Sequence, residues 1–306
     1  MIILNYLPNG DEEISLIKFI AEYQYLNVSD AQYFFKSRSY YRKRIKNLID
    51  KNILWKIKWN LTLGDLGIAY AKLFKFEYNA INRNEKYSER LVRLASIGAF
   101  YHDSNTIKFI PSFSVKDRNI FTMTGRRFIG IFNINGIEYM AYQITKKHDD
   151  KYIASVIYDM QKEKQYKNFI IFTNKLNRIN YQDFTFGYNQ VLIIEDSDEN
   201  KENLKYLNSI NWHRIIEDNF KSNVVLSEYN FCDYTNKKDK FISTFYFIDT
   251  EKINRIKYFL RENENRNAII ICSKDLEIEL KKELPNVKYI VLDLEQYIDK
   301  EKRYYD

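Results

Sequence analysis

Eight glycines in a chain of 306 residues set the first limit on what it can become. Folds that cradle phosphate use glycine, because a residue without a Cβ lets backbone N–H groups close around an anion. GxxxxGK[ST] is absent, and Gly125, Gly130 and Gly136 lack both the spacing and the strand-to-helix turn of a dinucleotide fingerprint. P-loop NTPases and Rossmann dehydrogenases are therefore excluded. The GxSxG elbow of serine hydrolases is missing too. His102, His148 and His213 are far apart with no HExxH pair, so no His-based zinc site and no cofactor is expected. Cys232 and Cys272 make neither a disulfide framework nor a zinc knuckle and read as two buried thiols in a reducing cytosol. With 45% apolar and 16% aromatic residues the chain can build a sizeable core. It has no uncharged run long enough for a membrane helix, and MIILNYLPNGDEE lacks the basic start of a secretory signal. A cytoplasmic protein without a membrane partner is expected.

The net charge of +7 is concentrated in one place. Residues 31–60 hold nine basic side chains, Lys36, Arg38, Arg42, Lys43, Arg44, Lys46, Lys51, Lys56 and Lys58, against the single acid Asp50. That segment is +8, so the remaining 276 residues sum to −1. A local excess of this kind is the footprint of an acidic partner.

The pattern around the footprint reads as helices and a hairpin. Residues 12–25 place Ile14, Ile17, Ile20 and Ala21 on one helical face. A short second helix follows with Ser29 as its cap, and Ser39 opens a third, SYYRKRIKNLIDKN. Tyr41, Ile45, Leu48 and Ile49 would face inward, and Arg42, Lys43, Arg44 and Lys46 outward. ILWKIKW alternates with period two, and LTLGDLGIAYAKLF returns as strand and helix, with Asn60 to Gly64 as the tip. Helix, helix, basic helix and two-stranded wing is the order of a winged helix-turn-helix, whose third helix enters the major groove. Arg38, Arg42, Lys43, Arg44 and Lys46 are the candidate readout and phosphate contacts, with Lys56 and Lys58 on the wing. Aromatics are so frequent that Tyr40, Tyr41, Trp55 and Trp59 read mostly as core or wing packing; Tyr40 is retained among the DNA contacts.

From residue 84 the rhythm changes. A helix (NEKYSERLVRLASIGAFY), strands at TIKFIPSF, RRFIGIFN and EYMAYQI, a helix (DDKYIASVIYDMQKE) and a strand (NFIIFT) follow in turn. Asn135-Gly136 joins the second and third strands as a hairpin turn. This α-β-β-β-α-β order is that of a restriction-endonuclease-like core. A nuclease of that kind holds a divalent metal with an acid near the second strand and an acid-x-Lys on the third. Here the second strand has no acid, and Gln143-Ile144-Thr145-Lys146 is out of step, so a catalytically inactive scaffold with no metal site is expected. An enzymatic alternative would draw on Asp117, Glu138 or Glu89 with Lys146. Arg126, Arg127, Lys146 and Lys147 gather at the open end of the hairpin and read mainly as a solvated face. The last third continues as β-α-β-α-β, with Asp196, Asp249 and Asp293 near strand ends as helix-capping or solvent-facing acids.

Three segments, SxxYYRKRIKNLIDKNIL, LTLGDLGIAYA and RRFIG…YMAYQI, give the region 12–175 a resemblance. It resembles the replication-relaxation and MobC-like proteins of bacterial plasmids and conjugative elements. The resemblance implies a DNA-binding protein for replication, transfer or transcription control of a mobile element. The expectation is thus a mixed α+β and α/β chain in three parts: a winged helix-turn-helix at 1–80, a restriction-endonuclease-like domain at 84–200, and a β/α extension or small third domain at 201–306. Its partner would be double-stranded DNA, bound by a two-fold dimer. Two other readings stand beside it: a metal-dependent nuclease or relaxase, and a protein-interaction module of a defence or structural assembly.

Overall fold

The computed structural model describes residues 10–37, 39–78, 89–115, 127–174, 176, 179–220, 224–236, 240–262 and 267–298. The fold is a mixed α and β arrangement with three sheets, distributed over two compact units, Met1–Ser104 and Asn105–Asp306. Among the described residues no helix is long and apolar enough to cross a membrane.

The first unit begins with α1 (Asp11–Tyr23), whose Leu16, Ile17, Ile20 and Ala21 are fully buried. Burial of each of the three larger side chains is worth about 1.5–3 kcal/mol. The short strand β1 (Leu26–Asn27) follows, then a single 3₁₀ turn (Asp30–Phe34), α2 (Tyr41–Asp50), β2 (Leu54–Ile57), β3 (Asn60–Leu63) and α3 (Asp65–Leu73). Neither serine expected to cap a helix does so. The Ser29 hydroxyl donates back to Asn27 Oδ1 at 2.8 Å, and that of Ser39 pairs with Ser37 at 3.2 Å. The second helix is a 3₁₀ turn, and the third begins at Tyr41.

Strands β1, β3 and β2 form one antiparallel sheet, with Asn60 paired to both Asn27 and Ile57. The hairpin turn is therefore Lys58-Trp59, not the Asn60–Gly64 segment expected from sequence. Asn60 is needed inside the sheet, where it is buried. The glycines of LTLGDLG serve close approach instead: a Cβ on Gly67 would lie 2.1 Å from the Ile53 carbonyl oxygen, and one on Gly64 2.4 Å from that of Asn52.

The helix expected to open the middle domain, α4 (Glu89–Phe100), packs on α1, β1 and the 3₁₀ turn of the first unit. Leu94, Ala95 and Gly98 form its buried face. The first unit thus runs to Ser104 and not to residue 80, because α4 supplies part of its core.

The second unit contains β4 (Ile107–Pro111), α5 (Ser112–Val115), β5 (Phe128–Ile134), β6 (Ile137–Ile144), α6 (Asp150–Lys162), β7 (Asn168–Thr173) and β8 (Gln190–Glu195). After α7 (Asp198–Leu204) and α8 (Trp212–Phe220) come β9 (Val224–Leu226), β10 (Tyr234–Asn236), β11 (Lys240–Thr244) and β12 (Ile248–Asp249). The last elements are α9 (Thr250–Glu262), β13 (Asn267–Cys272), α10 (Lys274–Glu283) and β14 (Lys288–Val291). A six-stranded sheet has the order β12-β8-β7-β6-β5-β4, antiparallel from β4 to β6, parallel from β6 to β8, and closed by antiparallel β12. A five-stranded sheet has the order β14-β13-β11-β10-β9.

No separate third domain forms. β12 completes the first of these sheets, α9 packs on β8, and one apolar core joins Val191 and Ile193 to Ile253, Ile256, Ile270 and Leu280. Strand β13 alternates between two cores, Ile270 and Cys272 on one side and Ile269 and Ile271 on the other. That two-sided burial explains its run of three isoleucines.

His102 lies at the surface of the first unit with its ring partly covered, its Nε2 2.7 Å from the Ser15 hydroxyl and its ring 4.3 Å from that of Phe34. Burial holds its pKa below the ordinary value, with Asp103 opposing and Lys18 reinforcing the shift. The unfolded chain therefore binds the proton more readily, and the contribution of His102 to stability is present at neutral pH and lost as pH falls below about 6.5. The urea midpoint of this unit should decline between about pH 7 and pH 5, and the decline should be shallower in His102→Gln. Gly67→Ala should destabilise the same unit by about 1–3 kcal/mol, lowering its urea midpoint, because backbone and not a flexible side chain blocks the methyl.

Candidate nucleic-acid interface

The basic helix α2 buries Tyr41, Ile45 and Leu48 against the first unit. At about 100° per residue, Arg42, Lys43 and Lys46 then share the opposite face with Asn47 and Asp50, and all five are exposed. Arg42 Nε donates to the Tyr41 hydroxyl at 3.2 Å, and Lys43 Nζ lies 5.9 Å from the centre of the Tyr40 ring. Lys56 and Lys58 are exposed on the hairpin, Lys56 Nζ standing 5.5 Å from the Trp59 ring. Among the described residues, none of Arg42, Lys43, Lys46, Lys56 and Lys58 forms an ion pair. Five uncompensated cations on one helix face and one hairpin are what the sequence count foreshadowed.

Arg44 is different. The same angular step sets it about 40° from Leu48, on the flank of the buried stripe. There it pairs with Glu12, donates from Nε to Glu13 at 3.1 Å, and lies 5.1 Å from the Phe35 ring. Glu13 is only 2% exposed. Glu12 also accepts the Lys36 backbone N–H at 2.9 Å, so the start of α1 holds both α2 and the chain leading into it. The outward role expected for Arg44 is corrected: it is a structural clamp. The sequence signal was available in the Asp11-Glu12-Glu13 run, the only dense acid close enough in sequence to answer the basic helix. Arg38 lies outside the described residues.

The aromatic residues divide in two. Tyr41 is buried, and Trp55 donates its indole N–H to Asn52. Tyr40 and Trp59 are 59% and 74% exposed. Trp59 is thus not wing packing, as the general frequency of aromatics suggests, but stands exposed in the Lys58-Trp59 turn.

Of the residues considered for metal-dependent cleavage, Glu138 and Lys146 of the second unit do not come together. Glu138 lies near the start of β6 and Lys146 beyond its end, roughly 20 Å or more apart at the rise of a strand. Glu89 belongs to the first unit. Asp117 and Arg126 lie outside the described residues. Among the described residues, no group of three or more His, Cys, Asp and Glu is placed to hold a metal ion. Arg127 is not part of an open basic edge; it makes a two-pronged ion pair with Asp159 of α6, at 2.7 and 3.0 Å.

The acids at strand ends are likewise committed. Asp196 accepts from the Gln143 amide at 2.7 Å and pairs with Lys201 at 2.9 Å. Asp249 receives the Lys252 N–H at the start of α9, and Asp293 receives that of Glu295. Both cysteines are free and buried; burial pushes the Cys272 thiol up to about 12 and raises that of Cys232.

Comparison with protein-family models, curated proteins and solved structures finds no match. What the exposed basic face does must therefore be reasoned from its own chemistry.

The two kinds of arginine on α2 can be told apart by measurement. Arg44→Ala should cost about 1–3 kcal/mol of stability, since it leaves the Glu13 carboxylate buried without its cation. Arg42→Ala should change the urea midpoint by less than about 0.5 kcal/mol.

Proposed function

We propose that the first unit is a winged helix-turn-helix that binds duplex DNA, with α2 as the recognition helix and β2–β3 as the wing. The observation that carries this reading is the set of five exposed cations without ion pairs, Arg42, Lys43, Lys46, Lys56 and Lys58. A helix is narrow enough for the major groove, and its outer Arg and Lys side chains span both base edges and phosphates. Releasing condensed counterions from DNA would supply most of the affinity. Leaving these cations unpaired in the free protein means that no ion pair must be broken on binding. Tyr40, exposed beneath Lys43, would extend the contact surface.

The sequence resemblance to replication-relaxation and MobC-like proteins is what supports reading such binding as part of the replication, transfer or transcription control of a plasmid or other mobile element. The second unit would then serve as the platform for self-association or a protein partner, and a two-fold dimer would match a palindromic or repeated site.

Labelled duplexes tiled across the gene's flanking sequence, titrated between about 50 and 200 mM salt, test the reading directly. One tile should be preferred, with a steep salt slope. In Arg42→Ala, a lost base contact should cost about 1–3 kcal/mol and relax specificity; Lys46→Ala should reduce the salt slope by about one. Indifference of affinity and slope to both substitutions would remove α2 from the interface.

A further inference from the structure

We propose that the tip of the β2–β3 hairpin is an apolar wedge: Trp59, with Ile57 beside it, enters the minor groove, opens a base step and bends the duplex. This rests on the DNA-binding reading and adds to it a mode of recognition that does not depend on base-edge hydrogen bonds.

The first support is where the apolar side chains lie. On the same two strands Leu54, Leu61 and Leu63 are buried, whereas Ile57 is 41% and Trp59 74% exposed. The hairpin thus changes from core-facing to solvent-facing at its last turn, and the largest side chain available stands at the end. Lys56 lies against the indole and Lys58 precedes it, so two cations flank the apolar tip. A polyanion with a stackable apolar interior satisfies both features, and duplex DNA is such a polymer. Apolar side chains inserted at base steps are a known means of kinking it.

The second support is shape and rigidity. A two-residue turn is the narrowest end a hairpin can have, so the side chain at its tip can reach into a groove about 6 Å wide that the two-stranded ribbon itself does not enter. The tip is also fixed. Val28 N–H donates to the Trp59 carbonyl at 2.9 Å, and β1 pairs with β3 immediately behind it. Little loop ordering would oppose insertion. Among the described residues the Trp59 ring stacks on no other aromatic ring. A lone indole on a convex tip suits a single opened step better than a run of unpaired bases, which would call for a series of stacking platforms.

The test uses the full chain and a duplex of about 20 base pairs with one central TA step, a step that unstacks easily, labelled at its ends with donor and acceptor dyes. A duplex of equal length with a stiff A-tract at its centre is the comparison. Binding should shorten the end-to-end distance of the first duplex, as a kink of about 20° or more requires, and should favour it over the second. Trp59→Ala should keep the circular dichroism and the salt slope of the parent while losing the bend and about tenfold in affinity for the TA duplex, with Trp59→Phe between the two. A Trp59→Ala protein that bends DNA like the parent would overturn the wedge and leave the DNA-binding reading standing. Tighter binding of the single strand than of the duplex, with Trp59 fluorescence quenched, would overturn it as well. A parent protein without salt-dependent affinity for either duplex removes the DNA-binding reading, and the wedge with it.

Discussion

Arg44 and the two glutamates at the start of α1 decide how the basic segment is presented. The apolar stripe Tyr41, Ile45 and Leu48 meets the core and leaves Arg42, Lys43 and Lys46 to solvent, but Arg44 stands on the flank of that stripe where spacing alone does not assign it. By drawing Arg44 onto Glu12 and a nearly inaccessible Glu13, the fold takes it out of the exposed set and reinforces the rotation of α2 about its axis. The same carboxylates hold the chain entering the helix through the Lys36 N–H. An ion pair at this depth is weak evidence for stability, since desolvation offsets much of the attraction. Its value here is in selecting one orientation over its neighbours.

Much of this was legible in the amino-acid order, because periodicity survives without knowledge of the fold. On α1 Ile17, Ile20 and Ala21, and on α2 Tyr41, Ile45 and Leu48, follow from spacing and are buried, whereas Ile14 and Ile49 are only half-buried; the turn at Asn135-Gly136 follows from residue type. Three things were not. Ser29 and Ser39 have the right side chain for a cap, but a cap needs the hydroxyl oxygen to accept a backbone N–H of the first turn, and here the hydroxyls are turned to Asn27 and Ser37 instead. The turn at Lys58-Trp59 carries none of the usual turn residues, so Gly64 drew the assignment away from it. Gly64 and Gly67 answer a contact with Asn52 and Ile53 that only the folded chain brings about.

Unit boundaries were the least legible feature for a similar reason. A break in composition near residue 80 marks a change of local pattern, yet α4 beyond it completes the core on which α1 rests. In the second unit the chain returns after five intervening elements to add β12 at the edge of the six-stranded sheet. Arrangements of that kind depend on side chains far apart in sequence finding a shared apolar volume, which no local window reports. The candidate interface was easier to read than the domain plan because charge excess is a sum over neighbours.

Among the described residues two hairpins close with two-residue turns, and they solve the turn differently. Asn135-Gly136 places at both left-handed positions the residues that tolerate them best. The other turn sets Lys58 at a φ of 56°, where glycine or asparagine would sit with less strain. The two turns therefore mark opposite compromises in one polypeptide: the first is composed for folding, while the second retains a charge at a position where relief of strain and retention of that charge exclude each other.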